Sequence, residues 1–202
     1  MQAFIDACAA GQMDATIELV LSNKPDAAGL TRATEAGIAT ACVDHREYDS
    51  REAFDAALVS ELQPHQPDLV ILAGFMRILT PVFITPFAGK LLNIHPSLLP
   101  NYPGLDTHRR ALEAGDSEAG VTVHYVTPEL DGGPPILQAR VAIVEDDSPE
   151  TLAARVIMQE HVIYPIAANW QLQGRLQLDE QGAILDGKQI PVTGIDYVQG
   201  IE

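Results

Sequence analysis

The sequence predicts an α/β fold, a mostly parallel sheet with helices on both faces and an antiparallel part towards the C-terminal end. Three observations carry that expectation. Helical and strand-like segments alternate through the first half, the order that a parallel sheet requires. The run PDLVILAGF (67–75) is continuously apolar, as a strand covered on both faces would be. In the second half, GVTVHYVT (120–127) and ILQARVAIV (136–144) flank a DGGPP turn, the arrangement of an antiparallel pair.

Taken in order, MQAFIDACAAG reads as a helix with Phe4, Ile5 and Cys8 on one face and Gly11 near its end. ATIELVLSN (15–23) is strand-like and stops at Asn23 and the following Lys-Pro. AAGLTRATEAG (27–37) is a helix closed by Gly37, and IATACVD (38–44) a strand. DSREAFDAALVSELQ (49–63) offers Asp49 or Ser50 as N-cap and an apolar stripe at Phe54, Leu58 and Leu62. After the 67–75 run come KLLNIHP as a short strand and THRRALEAG (107–115) as a short helix. The segment 148–171 is a long helix with Ser148 as N-cap and Glu150 in its first turn, and Pro165 predicts a kink or a break in it. In the tail, RLQLDEQGAILDGKQI reads as a hairpin turning near Gln181-Gly182.

A chain of 202 residues makes one domain, or one domain with a small appendage, with a sizeable core, and 47% hydrophobic with 20% charged residues is ordinary globular composition. The net charge of -16 argues against a phosphate-backbone partner, so no nucleic acid is expected. Cys8 and Cys42 lack CxxC spacing and suggest a reducing compartment. No apolar run approaches a membrane span, and MQAFIDACAAG lacks the regions of a signal peptide, so a cytoplasmic location is expected.

Chemistry concentrates in LLNIHPSLLP (91–100), where Asn93 and His95 lie two apart near the end of a strand and so face the same side. In open α/β sheets ligands bind at that end. From these residues alone a structural Asn and a packed His are as good a reading as a site. Asp131, in TPELDGGPP, is either a plain turn residue or a carboxylate brought to the histidine, where it would orient the ring and favour its protonated form. Arg77, in GFMRIL (74–79), either starts a helix or meets a carboxylate or flat ring. His108, His124 and His161 carry weaker signals, His124 as a cross-strand partner. With no HExxH or paired His/Cys spacing, no metal is expected, and Ser97 has no nucleophile-elbow context.

Together, NIHPSLLP (93–100), YPGLDTH (102–108), VTVHYVTPELDGGPPILQ (121–138) and QEHVIYP (159–165) resemble the phosphoribosylglycinamide formyltransferase family. SNKPDAAGL (22–30), DSREAF (49–54) and AGFMRIL (73–79) extend the resemblance over nearly the whole chain. NIHPSLLP alone marks only the wider formyltetrahydrofolate superfamily; the other segments and the short length select this member. The resemblance implies a Rossmann-like formyltransferase fold as a single domain over 1–202. Residues 1–90 would be the nucleotide-binding half and 91–202 the catalytic and folate-binding half. It implies two small-molecule substrates, glycinamide ribonucleotide and 10-formyltetrahydrofolate as co-substrate, no metal, and a monomer or homodimer.

By the same resemblance, Asn93, His95 and Asp131 match the catalytic triad. Arg51, Met76, Arg77, Ile78 and Leu79 match folate contacts, together with Asn93 and the stretch Thr127, Pro128, Glu129, Leu130 and Asp131 around the pteridine end. Glu160 matches a residue that contacts glycinamide ribonucleotide. The implied chemistry has Asn93 and a protonated His95 as donors to the formyl oxygen and the Asp131–His95 pair as proton shuttle. Two departures are expected to matter: Asp106 stands where the family often has a second histidine, and Met1 falls where the family's first strand and phosphate loop hand over to a helix, so the first half reads as N-terminally incomplete. Two other readings stay open beside transfer: a 10-formyltetrahydrofolate hydrolase and a non-catalytic folate-binding remnant.

Overall fold

The structure, a computed structural model, describes residues 1–200. The predicted alternation resolves into helix α1 (Gln2–Ala9), strand β1 (Val20–Ser22), α2 (Ala28–Glu35), β2 (Thr40–Cys42), α3 (Arg51–Leu62) and β3 (Val70–Leu72). A short helix α4 (Pro81–Ile84) precedes β4 (Leu91–His95), α5 (Thr107–Ala114), β5 (Glu118–Tyr125), β6 (Pro135–Ala142) and the long α6 (Pro149–Leu172). The chain then runs through β7 (Leu176–Asp179), β8 (Gly182–Leu185), β9 (Lys188–Gln189) and β10 (Ile195–Asp196).

Five strands form the main sheet in the order β10-β6-β5-β4-β3. β3 and β4 run parallel, as do β10 and β6, while β4–β5 and β5–β6 are antiparallel. β1 and β2 pair parallel in a separate two-stranded sheet. The tail is a three-stranded antiparallel sheet: the predicted turn lies between Asp179 and Gly182, and a second turn at Asp186-Gly187 adds β9.

The face of β4 and β5 that carries Leu92, Val121, Val123 and Tyr125 is buried against α6, which contributes Leu152, Val156, Ile163, Ala167 and Trp170. The Tyr164 hydroxyl of α6 lies 2.9 Å from the carbonyls of both Leu72 and Leu92, tying the helix to β3 and β4. A second cluster packs α3 and α4 through Phe54, Leu58, Phe83 and Phe87 beneath β3. Helix starts follow their caps: Ser50 accepts from the Ala53 N–H, and Ser148 and Thr151 form a reciprocal capping box.

Two expectations are corrected. Pro165 does not break α6, which is continuous for 24 residues. Buried residues on both sides of it, Ile163, Tyr164, Ala167 and Ala168, hold the helix on the sheet and outweigh the one lost backbone bond. The 67–75 run is not a strand covered on both faces. Only Val70–Leu72 enters the ladder, at one edge of the main sheet, and Ile71 and Leu72 are only half-buried.

The reason is a cleft of about 1240 Å³, lined by β1 and the segment before it on one side and by β3 on the other. Among the described residues, β1 pairs only with β2 and β3 only with β4, so each leaves one edge unpaired on the cleft. The Val20 and Val70 N–H groups donate to Ala39 and Lys90, away from it. Because successive N–H groups of a strand point to opposite edges, those of Leu21 and Ile71 point into the cleft. In hydrogen exchange, Leu21 and Ile71 are expected to exchange about 10-fold or more faster than Val20 and Val70. Equal protection within each pair would show that both edges are paired in solution.

Candidate active site

The site is built on the second face of β4. Alternation puts Leu92 and Ile94 on one side and Asn93 and His95 on the other. Antiparallel pairing sets His124 of β5 opposite Asn93 and Thr122 opposite His95. This face is polar, although its members His95, Thr122, His124 and Gln138 are all buried. Buried polar groups need partners, and each of these has one.

Thr122 Oγ1 donates to the Ser97 carbonyl at 2.7 Å and accepts from the Leu99 N–H at 3.0 Å. Gln138 Nε2 donates to that same hydroxyl and to the Leu99 carbonyl, at 2.9 and 2.8 Å. These bonds pin the loop that leaves β4. The pinned loop carries Tyr102, whose φ of 55° turns its carbonyl towards His95 Nε2 at 2.9 Å. A carbonyl only accepts, so Nε2 carries a hydrogen and His95 can take up or release a proton only at Nδ1.

Nδ1 faces Asp131 Oδ2 at 3.5 Å. The β5–β6 loop folds back to bring Asp131 there, with a left-handed φ of 49° at that residue. Its Oδ2 also accepts from the Gly104 N–H at 2.8 Å. Gly133 allows this fold-back, since a Cβ there would stand 1.8 Å from the Tyr125 carbonyl oxygen. Carboxylate and imidazole are both nearly sheltered from solvent, with side chains 10% and 8% exposed. A proton on Nδ1 turns their approach into an attractive, charge-assisted contact.

On the other side of Asn93 is His124. Its Nε2 lies 3.2 Å from Asn93 Nδ2 and 3.9 Å from Asp131 Oδ1, and its Nδ1 lies 2.8 Å from the Tyr125 carbonyl. Burial pushes the His124 ring down to about 4, against the Tyr125 carbonyl and Asp131, which favour its charged form.

Of the residues singled out in the sequence, Asn93, His95 and Asp131 come together here. The 73–79 segment leaves β3 beside them, because Leu72 pairs with Asn93. Arg77 does not start a helix; its guanidinium lies over the Phe54 ring at 5.3 Å, and its Nε is buried without a hydrogen-bond partner. Met76 and Ile78 are exposed around it, at 82% and 52%, while Leu79 is buried below. Thr127 is half-buried, and Pro128, Glu129 and Leu130 are exposed on the loop ahead of Asp131. Arg51 is exposed at the start of α3, the helix that supplies Phe54. Glu160 lies one helical turn before Tyr164, on the same face of α6; burial raises its carboxyl above the usual value.

His124, read from the sequence as a cross-strand partner, is one, opposite Asn93; Tyr102 and Gly104 are the participants that sequence reasoning missed. Tyr102 and Gly104 contribute backbone atoms, which no side-chain pattern reveals. Among the described residues no group of three or more His, Cys, Asp or Glu side chains is arranged to hold a metal ion. No helix among them is long and apolar enough to cross a membrane.

Comparison with known proteins places this geometry in context. A formyl transferase family model matches residues 1–168. The chain is 55% identical over 194 residues to the phosphoribosylglycinamide formyltransferase of Escherichia coli K12, covering 96% of this chain and 92% of that protein. It is 44% identical over 184 residues to the human trifunctional purine biosynthetic protein adenosine-3, covering 91% of this chain but 18% of that protein. Among solved structures, phosphoribosylglycinamide formyltransferase from Coxiella burnetii, in complex with CHES, superposes with a TM-score of 0.92 at 44% identity, over 98% of this chain and 93% of that one.

Proposed function

The chain belongs to the formyl transferase family, and from that membership we infer that it transfers the formyl group of 10-formyltetrahydrofolate to the amine of glycinamide ribonucleotide. The observation that carries the reading to named atoms is the convergence of Asn93, His95 and Asp131, with the His95 Nδ1 to Asp131 Oδ2 approach of 3.5 Å at its centre. The folate co-substrate supplies the formyl carbon. In the reaction the nucleotide's amine bonds to that carbon, the carbon's bond to the folate nitrogen breaks, and a proton passes from the amine to that nitrogen.

The chain's own groups fit those needs. Negative charge grows on the formyl oxygen as the amine attacks, so donors that meet it there stabilise the transition state more than the substrate. Asn93 supplies an amide N–H. His95, anchored through Nε2 on the Tyr102 carbonyl, exchanges its proton at Nδ1. Asp131 opposite holds the protonated ring in place and supports the transfer of that proton.

A flat, partly apolar ring system also has a fitting wall. Met76 and Ile78 expose apolar side chains, Leu79 lies beneath, and Arg77 is already stacked on Phe54. Arg51 and the loop of Thr127, Pro128, Glu129 and Leu130 flank the same end of the sheet, and Glu160 is the group assigned to the nucleotide's side. Residues 1–90 and 91–202 are then halves of a single domain, the first adding the folate wall at 76–79 to its nucleotide-binding part and the second adding Glu160 to the formyl chemistry.

Incubating the purified protein with 10-formyltetrahydrofolate, with and without glycinamide ribonucleotide, tests the reading. The expected result is consumption of the folate that depends on the nucleotide and yields its formyl derivative. Formate release at a comparable rate without the nucleotide would make the protein a hydrolase, and folate binding without either product would make it a binding protein.

A further inference from the structure

A carboxamide has a donor end and an acceptor end of nearly the same shape. An asparagine can therefore serve as an oxyanion donor only if something fixes which end faces the reaction. Among the described residues, the side-chain hydrogen-bond partner of Asn93 that can do this is the His124 ring directly across the strand pair.

The direction follows from one bond to the next. His124 Nδ1 lies 2.8 Å from the Tyr125 carbonyl oxygen, which cannot donate, so Nδ1 carries the hydrogen. A neutral ring has only one hydrogen, so Nε2 presents a lone pair. The Asn93 terminus 3.2 Å away must then be the NH2 group, because the amide oxygen would set two lone pairs against each other. With one N–H on His124, Asn93 keeps a second N–H to present elsewhere. Turning the amide round would require a second proton on a ring that is 2% exposed. Burial opposes that proton strongly enough to keep the ring neutral at pH 7. Asp131 Oδ1 at 3.9 Å is beyond hydrogen-bond range of Nε2 and does not compete for it.

We propose that His124 is a positioning residue for Asn93, an Nδ1-protonated imidazole that fixes the carboxamide so that an N–H, not the carbonyl, faces the formyl oxygen. The proposal rests on the assignment of Asn93 as a donor to that oxygen and adds what keeps the donor pointed. It also gives β5 a part in the chemistry, since the strand register that sets His124 opposite Asn93 determines the direction of the amide.

The test needs three measurements. In the wild-type protein, nitrogen-15 NMR of the His124 ring at pH 7 is expected to show Nδ1 protonated and Nε2 bare; the opposite tautomer would overturn the proposal without any variant having to fold. In steady-state assays, His124→Phe is expected to lower kcat on the order of 10- to 100-fold, the range for a misdirected catalytic group, with each KM within about twofold. His124→Gln, whose amide oxygen can take the place of Nε2, is expected to recover most of the loss. A His124→Phe protein with wild-type kcat would overturn the proposal. The third measurement is a double-mutant cycle: if His124 acts through Asn93, His124→Phe adds nothing to the loss caused by Asn93→Ala. Independent, multiplying losses would give His124 a role of its own and also overturn the proposal. An Asn93→Ala variant with full activity would instead refute the donor assignment, so the two failures are distinguishable.

Discussion

Asp131→Asn is expected to fold as the parent does and to lose turnover by roughly 100- to 10,000-fold, the range seen when the carboxylate partner of a working histidine is made an amide. Asparagine suits the backbone, because among non-glycine residues it is one of those that best tolerate a left-handed φ, here 49°. Its amide oxygen can still accept from the Gly104 N–H, which now bonds to the carboxylate at 2.8 Å. The loss of charge at that bond costs about 1 kcal/mol. What changes is the charge facing His95. The oxygen that accepts from Gly104 is also the one 3.5 Å from Nδ1, so in the variant the ring meets a neutral acceptor that no longer supports a proton there, while Nε2 stays committed to the Tyr102 carbonyl. Turnover and a thermal melt measured side by side check this. An unchanged melt with near-normal turnover would remove Asp131 from the mechanism.

Asn93→Ala carries the second large effect. Deleting one preorganised donor to a developing oxyanion costs roughly 100- to 1000-fold in kcat, and the loss should fall on kcat more than on either KM because the bond strengthens in the transition state. The variant also leaves His124 Nε2 without its partner in a site that water barely reaches. A stability cost of about 1 to 3 kcal/mol follows from that unsatisfied acceptor. A variant that raises KM for the folate while keeping kcat would show that Asn93 holds the substrate without acting on the reacting oxygen.

How much of this could be seen in the sequence depended on how local the cause was. The caps at Ser50 and Ser148 and the strand-forming character of 120–127 are local, and they held, the strand running Glu118–Tyr125. Asn93 and His95 were visible as a same-face pair for the same reason. The short helix at Pro81–Ile84 and the following turn through Phe87 were not, because segments of three or four residues are too short to show a period; the proline of each stands at a helix start, where it is tolerated. β10 has only two residues and no periodicity to detect, and its place beside β6 is a tertiary result. β3 looked fully covered because an apolar run reports composition, whereas edge or centre is decided by neighbours from elsewhere in the chain. The contacts of Asp131 and His95 with the Gly104 N–H and the Tyr102 carbonyl depend on backbone conformation, which residue types alone do not encode.

The unpaired edges of β1 and β3 have a consequence for how copies of the protein behave towards one another. A bare strand edge is a template on which another chain can build, and proteins commonly guard such edges with charge or cover. At neutral pH the guard here is collective: a net charge of -16 keeps molecules apart whatever their edges offer. That repulsion fades as the solution approaches the isoelectric point near 4.5. In mildly acidic solution the bare strand edges, those of β1 and β3 among them, meet less repulsion, and self-association is expected to rise as the pH falls towards that point.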